Sequence, residues 1–194
     1  KITPIIGDIN DISFFENIVR ERKVDYIFHA AAYKHVNFLE KNIIQAVKNN
    51  IFGSLNVIRI CSKLSINLTI VSTDKAARPK SILGFTKRIA EIIAQKYEKN
   101  GAHISIVRFG NVLGSSGSLL EILERRFKKE LKFNLYHNNL TRYFMTQNEC
   151  AYLVIDTSIK CDNETNKIYI LDMGKRFKIL EIVKNFLQFS NINT

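Results

Sequence analysis

Residues 71–91 read VSTDKAARPKSILGFTKRIAE, and this stretch holds side chains that could carry acid–base chemistry. Thr73, Asp74 and Lys75 place a hydroxyl, a carboxylate and an amine side by side where a short apolar run ends. A carboxylic acid and an amine of suitable pKa can act together as general acid and general base. The alternative is a surface loop with a local ion pair, which contributes little to stability.

Three further stretches carry groups suited to binding. The alanines Ala30–Ala32 in HAAAYKH allow another molecule to approach the backbone, or allow a helix to pack tightly on a sheet. The segment Gly114–Ser118 precedes a predicted helix and could cradle an anion, because free N–H groups and the helix dipole favour negative charge. The alternative for this segment is an ordinary loop with Ser118 as helix N-cap. The guanidinium of Arg142 could hold a phosphate.

Composition and charge narrow the class of protein. The 194 residues are 46% hydrophobic with only two prolines, which is typical of a globular chain with a full core. The net charge of +11 is spread along the predicted helices, so a solvated basic surface is favoured over nucleic-acid binding. An anionic small-molecule substrate or a nearby anionic membrane is compatible with this charge. The sequence contains no apolar run of about 18 residues and no signal-peptide pattern.

The cysteines and histidines do not suggest a metal site. Cys61, Cys150 and Cys161 are odd in number and lack metal-ligand spacing, and His29 and His35 form no set with them. A histidine beside a strand end can be a hydrogen-bonded structural residue or a ligand. We predict buried, reduced thiols, a cytoplasmic chain and no metal.

Apolar runs alternate with helical patterns along the chain. VDYIFHAAA is an almost continuous apolar run, as expected of a strand that is covered on both faces of a parallel sheet. The alternation predicts an α/β fold with a doubly wound parallel sheet, in which ligands bind beyond the carboxyl ends of the strands. The predicted strands are 2–7, 24–32, 67–73, 103–110 and 167–173. The predicted helices are 12–22, 41–64, 82–99, 118–130, 147–160 and a last one from about 179.

Six motifs, taken in their order, resemble a known family. They are HAAAYKHV, VSTDKA, the helix start G-x-[ST]-K-R-x-A-E, VRFGNVLGSSGS, TRYFMT and LDMG. The chain resembles the polysaccharide-biosynthesis branch of the extended short-chain dehydrogenase/reductase superfamily, from about residue 2 to residue 187. Members of this branch are nucleotide-sugar 4,6-dehydratases that act on UDP-N-acetylglucosamine.

The resemblance has consequences for the fold. Dinucleotide-binding sheets carry a Gly-rich turn after the first strand, and no G-x-G-x-x-G occurs in this chain. The resemblance therefore implies a Rossmann-like, N-terminally truncated sheet that begins at about the third strand, with part of the small substrate-binding subdomain. Residues 1–113 would form a partial NAD(P)-binding domain. Residues 114–194 would supply substrate-side elements interleaved with the end of the sheet.

The resemblance also implies a mechanism. Thr73 would orient the C4 hydroxyl of the sugar, Asp74 would act as general acid at the C6 hydroxyl, and Lys75 as base at C5. Lys87 would hold the nicotinamide ribose and lower nearby pKa values by its charge. A tightly bound NAD or NADP would take hydride from C4 and return it to C6 after water has left, giving a UDP-4-keto-6-deoxy sugar.

Other residues are implied to bind the cofactor and the UDP-sugar. The cofactor residues are Asp8 at the adenine, Ala30, Ala31 and Ala32 along the cofactor, and Ser72 together with Lys87. The substrate residues are Lys34, His35, Asn111, Ser115 and Arg142. The choice between NAD and NADP stays open, because the strand that would decide it is absent from the sequence.

Leu83 lies four residues before Lys87, where most of the superfamily has an acid–base tyrosine. A leucine cannot exchange a proton, so the chemistry must rest on Thr73, Asp74 and Lys75, and an epimerase is disfavoured. Long, membrane-attached members often have methionine at this position, which favours retention of configuration at C5. The second hypothesis is a nucleotide-sugar-binding module without turnover.

The resemblance finally implies how the full-length protein is organised. We expect a homo-oligomer, attached to a membrane only through a region that this chain does not contain. The location would be the cytoplasm, or the cytoplasmic face of the inner membrane for a protein of the long type.

Overall fold

Four strands of the described residues form the main sheet, in the order β1–β2–β3–β7. They are β1 (Tyr26–His29), β2 (Asn67–Thr73), β3 (Ile104–Phe109) and β7 (Ile168–Ile170). β1 runs parallel to β2, and β3 runs parallel to β7. The computed structural model describes residues 2–97, 102–129, 135, 137–160 and 167–189.

The helices of the described residues alternate with these strands. They are α1 (Ile12–Glu21), α2 (Val36–Leu39), α3 (Ile43–Val47), α4 (Ser54–Leu64), α5 (Ile82–Lys96), α6 (Leu119–Phe127), α7 (Gln147–Lys160) and α8 (Ile179–Phe189). The two-residue strands are β4 (Asn111–Val112), β5 (Thr141–Arg142), β6 (Phe144–Met145) and β8 (Phe177–Lys178). None of the described helices combines the length and apolar composition needed to cross a bilayer.

The main sheet is buried on both faces. Consecutive residues of β3 from Ile104 to Arg108 are all buried, and neighbouring side chains of a strand point to opposite faces. The sheet must therefore be covered on both sides, as in a doubly wound fold. Ile58 of α4, Leu68 of β2 and Ile106 of β3 belong to one buried cluster. The predicted α/β class with a Rossmann-like parallel sheet is confirmed.

Local sequence explains where several helices begin and end. Asp11 precedes α1 and its carboxylate accepts a hydrogen bond from the backbone N–H of Phe14, at 3.0 Å. At the start of α5, the hydroxyl oxygen of Ser81 accepts a hydrogen bond from the backbone N–H of Gly84, at 3.2 Å. Ser65, at φ 56°, ends α4 in the left-handed region. Side-chain oxygens at the N-cap satisfy N–H groups that have no partner within the helix.

The predicted helix 41–64 is not one regular helix. Residues Lys48–Gly53 form a π-helical segment between α3 and α4. Apolar periodicity is maintained across this segment, so the sequence pattern does not reveal it. π-Helical turns occur mostly inside α-helices and frequently at functional sites.

The predicted strand at residues 2–7 is wrong. The structure contains no strand there, and Ile2 and Ile6 are almost fully exposed, at 93% and 98%. Apolar residues form a strand only where a neighbouring strand accepts and donates the backbone hydrogen bonds, and no described segment does so here. Predicted strands 24–32 and 167–173 are also shorter than expected, at Tyr26–His29 and Ile168–Ile170.

The chain divides into two compact units. One comprises residues 1–108 and 154–170 and contains the main sheet. The other comprises residues 109–153 and 171–194, in which β4 pairs parallel with β6 and β5 pairs antiparallel with β8. From the sequence, residues 1–113 are assigned to cofactor binding and residues 114–194 to the substrate side. That assignment of roles stays a prediction.

Candidate functional site

The turn after β2 brings the predicted acid–base residues together. The hydroxyl of Thr73 donates to Oδ1 of Asp74 at 2.9 Å, and Nζ of Lys75 donates to the same oxygen at 3.0 Å. Asp74–Ala76 forms a single 3₁₀ turn directly after the strand. The side chains of Lys75 and Asp74 are 31% and 32% exposed, so solvent or a substrate can reach them. The hydroxyl of Thr73 and the amine of Lys75 therefore both donate a hydrogen bond to one carboxylate oxygen of Asp74.

Lys87 lies one helical turn after Leu83 on α5 and is buried, at 6% exposure. Its Nζ donates to the backbone carbonyl of Val71 at 2.8 Å, which ties α5 to β2. Burial lowers the pKa of Lys87 to about 8, and the carboxylate of Glu91 opposes this shift. Within the described residues, the Val71 carbonyl is its hydrogen-bond acceptor, so two ammonium hydrogens remain for another molecule.

His29 ends β1 and is a structural residue rather than part of a metal set. Its Nε2 is hydrogen-bonded to Oγ of Ser54 at 2.8 Å, and that hydroxyl donates to the carbonyl of Asn50. Burial, assisted by the positive charge of Lys87, lowers the pKa of His29 to about 3, so the ring is neutral at pH 7. The described residues contain no cluster of three His, Cys, Asp or Glu side chains placed to hold a metal ion.

Asn50 is a buried residue beside the candidate site that the sequence reasoning missed. It lies in the π-helical segment, is fully buried, and accepts from the N–H of Tyr33 at 2.8 Å while donating to the carbonyl of Tyr33 at 3.0 Å. A further bond of 3.2 Å reaches the hydroxyl of Thr86, next to Lys87. Asn50 therefore fixes the loop after β1 to α5. The sequence signal for this contact is the polar side chain of Asn50 on the apolar face of the predicted helix 41–64.

The loop after β1 contains the predicted cofactor alanines and two predicted substrate residues. Ala30 and Ala31 are exposed and Ala32 is half-buried. Lys34 and His35 line a cavity of about 530 Å³ together with Ala32 and aromatic and amide side chains that follow in α2 and α3. The small side chains leave the backbone at the end of β1 accessible.

Two other predicted cofactor residues have partners within the chain. Ser72 is buried and its hydroxyl donates to Glu91 at 2.5 Å. Asp8 is exposed before α1, and hydrogen bonds from the backbone and side-chain nitrogens of Asn10 lower the pKa of its carboxyl. A cofactor contact for Ser72 or Asp8 stays a prediction.

The second unit contains the remaining predicted substrate residues. Asn111 lies in β4 opposite Phe144, the hydroxyl of Ser115 donates to the carbonyl of Val112 at 2.9 Å, and Arg142 donates to the carbonyl of Thr141 at 2.8 Å. Their contact with UDP stays a prediction.

The Gly114–Ser118 segment before α6 has features both of an anion-binding site and of an ordinary loop. Gly114 and Gly117 have positive φ, at 70° and 67°. Ser118 stands at the N-cap position, but among the described residues its hydroxyl has no hydrogen-bond partner. The carboxylate of Glu121 accepts from the N–H of Gly117 instead, at 2.5 Å. Anion binding by this segment stays a prediction.

The sequence profile of a known family matches the whole chain. The profile, described as "Polysaccharide biosynthesis protein", covers residues 1–194. The chain belongs to this polysaccharide biosynthesis family. The membership that the strand-end motifs predicted is thereby confirmed.

Two curated relatives illustrate how the family covers the chain. The capsular polysaccharide biosynthesis protein CapD of Staphylococcus aureus is 35% identical over 193 residues, which is 98% of this chain and 32% of CapD. A UDP-N-acetylglucosamine 4,6-dehydratase (inverting) of Campylobacter jejuni is 32% identical over 156 residues, covering 77% of this chain and 46% of that enzyme. The chain thus spans about a third to a half of the length of these family members.

Solved structures show the same fold. The structure of Pen from Bacillus thuringiensis has a TM-score of 0.87 and 30% identity, and covers 95% of this chain and 57% of that chain. DesIV, a dTDP-glucose 4,6-dehydratase from Streptomyces venezuelae solved with NAD bound, has a TM-score of 0.86. DesIV is 19% identical, with 96% of this chain and 63% of that chain covered. The similarity to DesIV therefore concerns only the fold.

Proposed function

We propose that this chain carries the catalytic residues of an NAD(P)-dependent UDP-N-acetylglucosamine 4,6-dehydratase. The observation that supports this most directly is the turn after β2, where Thr73 and Lys75 both donate to the carboxylate of Asp74. The name of the Campylobacter jejuni relative supports the substrate and the reaction. The product would be a UDP-4-keto-6-deoxy sugar used in polysaccharide biosynthesis.

The residues around Lys87 fit a nicotinamide cofactor. The buried ammonium of Lys87 keeps two hydrogens for the hydroxyls of a ribose, and exposed Ala30 and Ala31 leave the backbone after β1 open. Ser72 and Asp8 would complete the cofactor contacts, as the family resemblance implies. When bound, NAD(P)⁺ would supply a hydride acceptor at C4 of the sugar and return the hydride to C6.

The ion pair explains how two adjacent residues can supply an acid and a base. Elimination of water needs a neutral amine at Lys75 to remove the C5 proton and a protonated Asp74 to donate to the leaving C6 hydroxyl. Moving one proton along the 3.0 Å N–H···O bond converts the ion pair into this neutral pair. Thr73 would hold the C4 hydroxyl.

Leu83 supports the dehydratase over an epimerase. Its hydrocarbon side chain has no proton to exchange with the sugar, and it is buried at 6% exposure, where it packs with Leu39 and Ala46. Acid–base work at C4 must therefore also come from the turn after β2. Retention of configuration at C5 remains our proposal, although the Campylobacter jejuni relative is named as inverting. Lys34, His35, Asn111, Ser115 and Arg142 would bind the UDP-sugar.

The proposal can be tested by mass spectrometry. The chain is incubated with UDP-N-acetylglucosamine and NAD⁺, and the sugar nucleotide is examined for loss of one water. We expect water loss that disappears in Lys75→Ala and in Asp74→Asn. The same variants are made in a chimaera in which the matching segment of the Campylobacter jejuni dehydratase is replaced by this chain.

Each outcome has a defined meaning. Water loss by the chain or by the chimaera, abolished by Lys75→Ala, supports the proposal. An inactive chain and an inactive, folded chimaera, beside an active parent enzyme, would contradict it. Binding of UDP-N-acetylglucosamine by calorimetry without any water loss would favour a nucleotide-sugar-binding module.

A further inference from the structure

A buried charge cluster lies behind the turn that carries the acid–base residues. Glu91 is on α5, one turn after Lys87, and is fully buried. Its Oε1 accepts from the hydroxyl of Ser72 at 2.5 Å and from Nε of Arg108 at 2.8 Å. Its Oε2 accepts from Nη2 of Arg108 at 2.5 Å and from Nη1 of Arg88 at 3.1 Å. One carboxylate thus joins α5, β2 and β3.

Stability does not account for this cluster. Burial acts to raise the pKa of Glu91, but the hydrogen bonds from Arg108, Ser72 and Arg88 together outweigh it and lower that pKa. Taking a carboxylate and a guanidinium out of water costs several kcal/mol per ion, and the attraction between them roughly offsets that cost. Apolar residues of similar volume often stabilise a core equally well. Glu91 therefore contributes a negative charge and a fixed set of hydrogen bonds rather than additional stability.

We propose that Glu91 is a positioning residue of the active site, which holds the end of β2 and the lysine-bearing turn of α5 in one fixed arrangement. The inference rests on the proposed dehydratase function. Ser72 directly precedes Thr73, so the bond from Ser72 to Glu91 fixes the point from which the turn after β2 departs. Lys87 is held to the same strand through the Val71 carbonyl. Lys87 and Glu91 thus attach α5 to two successive residues of β2, Val71 and Ser72.

Glu91 also sets the charge around Lys87. Its negative charge opposes the effect of burial and raises the pKa of Lys87. Among the described residues, the charged or titratable groups near Lys87 or on elements packed against α5 include His29 of β1, Glu40 after α2, Asp74 and Lys75 after β2, Arg88 and Glu91 of α5, and Arg108 of β3. Removing the charge of Glu91 should therefore lower the pKa of Lys87 and leave more of it neutral near pH 7.

Three variants separate positioning from simple structural support. Glu91→Gln removes the charge and keeps the shape. The double variant Glu91→Met/Arg108→Met removes both buried ions together, which avoids leaving one unpaired. Glu16→Gln is the matched control, because Glu16 binds Arg20 and Lys63 away from the turn.

Three quantities are measured on each variant: the melting temperature, the rate of water loss against pH, and the pKa of Lys87. The last is read by NMR of lysine labelled at Cε and Nζ, with Lys87→Met to assign the signal. We expect Glu91→Gln to lower kcat at least tenfold with little change in KM. The pKa of Lys87 should fall by about one pH unit, the size expected for losing a nearby opposite charge. The double variant should keep its melting temperature within a few degrees and lose activity equally.

The results that would overturn the inference are equally specific. A double variant that melts like the unmodified chain and keeps its kcat within twofold would do so. A Glu91→Gln variant that loses stability while the pKa of Lys87 and the pH profile stay unchanged would reduce Glu91 to a structural role. If neither the unmodified chain nor the folded chimaera shows water loss, the proposed function fails. The Lys87 pKa then still decides whether Glu91 controls the charge of the site.

Discussion

Gly84 offers a direct test of how tightly the turn with the proposed acid–base residues is held. This glycine lies in the first turn of α5, within the sequence LGFTK. A Cβ at Gly84 would lie 2.7 Å from the backbone oxygen of Lys75 and 3.2 Å from Cα of Pro79. Both neighbours are backbone atoms, so neither can rotate away. Gly84→Ala must therefore displace the turn that carries Lys75, or displace α5 itself.

The expected magnitudes follow from this geometry. Restoring an ordinary contact of 3.4 Å from 2.7 Å requires a movement of about 0.7 Å. Alanine gains about 1 kcal/mol over glycine inside a helix, whereas overpacking costs about 1–3 kcal/mol. Net destabilisation is therefore at most about 2 kcal/mol, or about 4–8 °C in melting temperature for a chain of this size. A misplacement of this size in an active site lowers the rate about 10- to 100-fold.

The assay compares kcat for water loss with the melting temperature in the same preparation. We expect Gly84→Ala to lose activity well beyond what its small loss of stability explains. Gly53→Ala is the matched control, because its Cβ would meet only side-chain atoms, Cδ1 and Cγ1 of Ile9 at 2.6 and 2.9 Å, rather than backbone atoms. Wild-type kcat in Gly84→Ala would refute the idea that the turn after β2 needs this close approach.

Three further predictions concern the residues around the site. The pKa of His29 falls from 6.5 to about 3 on folding, so the unfolded chain gains this proton first as pH falls. Folding stability should therefore decrease between about pH 6.5 and 3, by up to about 1.4 kcal/mol per pH unit, and urea titrations of His29→Gln should show a flatter dependence. Asn50→Ala removes both side-chain bonds to the Tyr33 backbone, and should cost about 1–3 kcal/mol and speed amide exchange at Tyr33; unchanged exchange would contradict the contact. Leu83→Ala should cost about 2–4 kcal/mol in denaturant unfolding, because Leu83 packs with Leu39 in a buried cluster, and a cost below 1 kcal/mol would contradict that packing.

The elements of the main sheet were predictable to different degrees. β2 and α7 have the predicted bounds, 67–73 and 147–160. For β2, the run of apolar residues is a strong local signal. Residues 2–7 also have an apolar sequence, but no strand in the described part of the chain pairs with them. Pairing is a property of two segments, so the composition of one segment cannot establish it.

The predicted helix 41–64 shows a second limit. Its apolar residues recur at helical spacing whether the backbone makes α-helical or π-helical hydrogen bonds. The π-helical segment Lys48–Gly53 places the side chain of Asn50 against the backbone of Tyr33, a contact 17 residues away along the chain. No pattern local to the helix specifies that contact.

The sequence by itself determined the family, the parallel α/β sheet and the placement of Thr73, Asp74 and Lys75, the proposed acid–base residues, at the end of β2. These features depend on residue type and on neighbours along the chain, as does the absence of a tyrosine at Leu83. Only the tertiary structure decided that Thr73 and Lys75 share one oxygen of Asp74, and that Glu91 lies behind them with Arg108. A buried carboxylate is stable only where donors from other elements reach it, and folding alone brings those elements together.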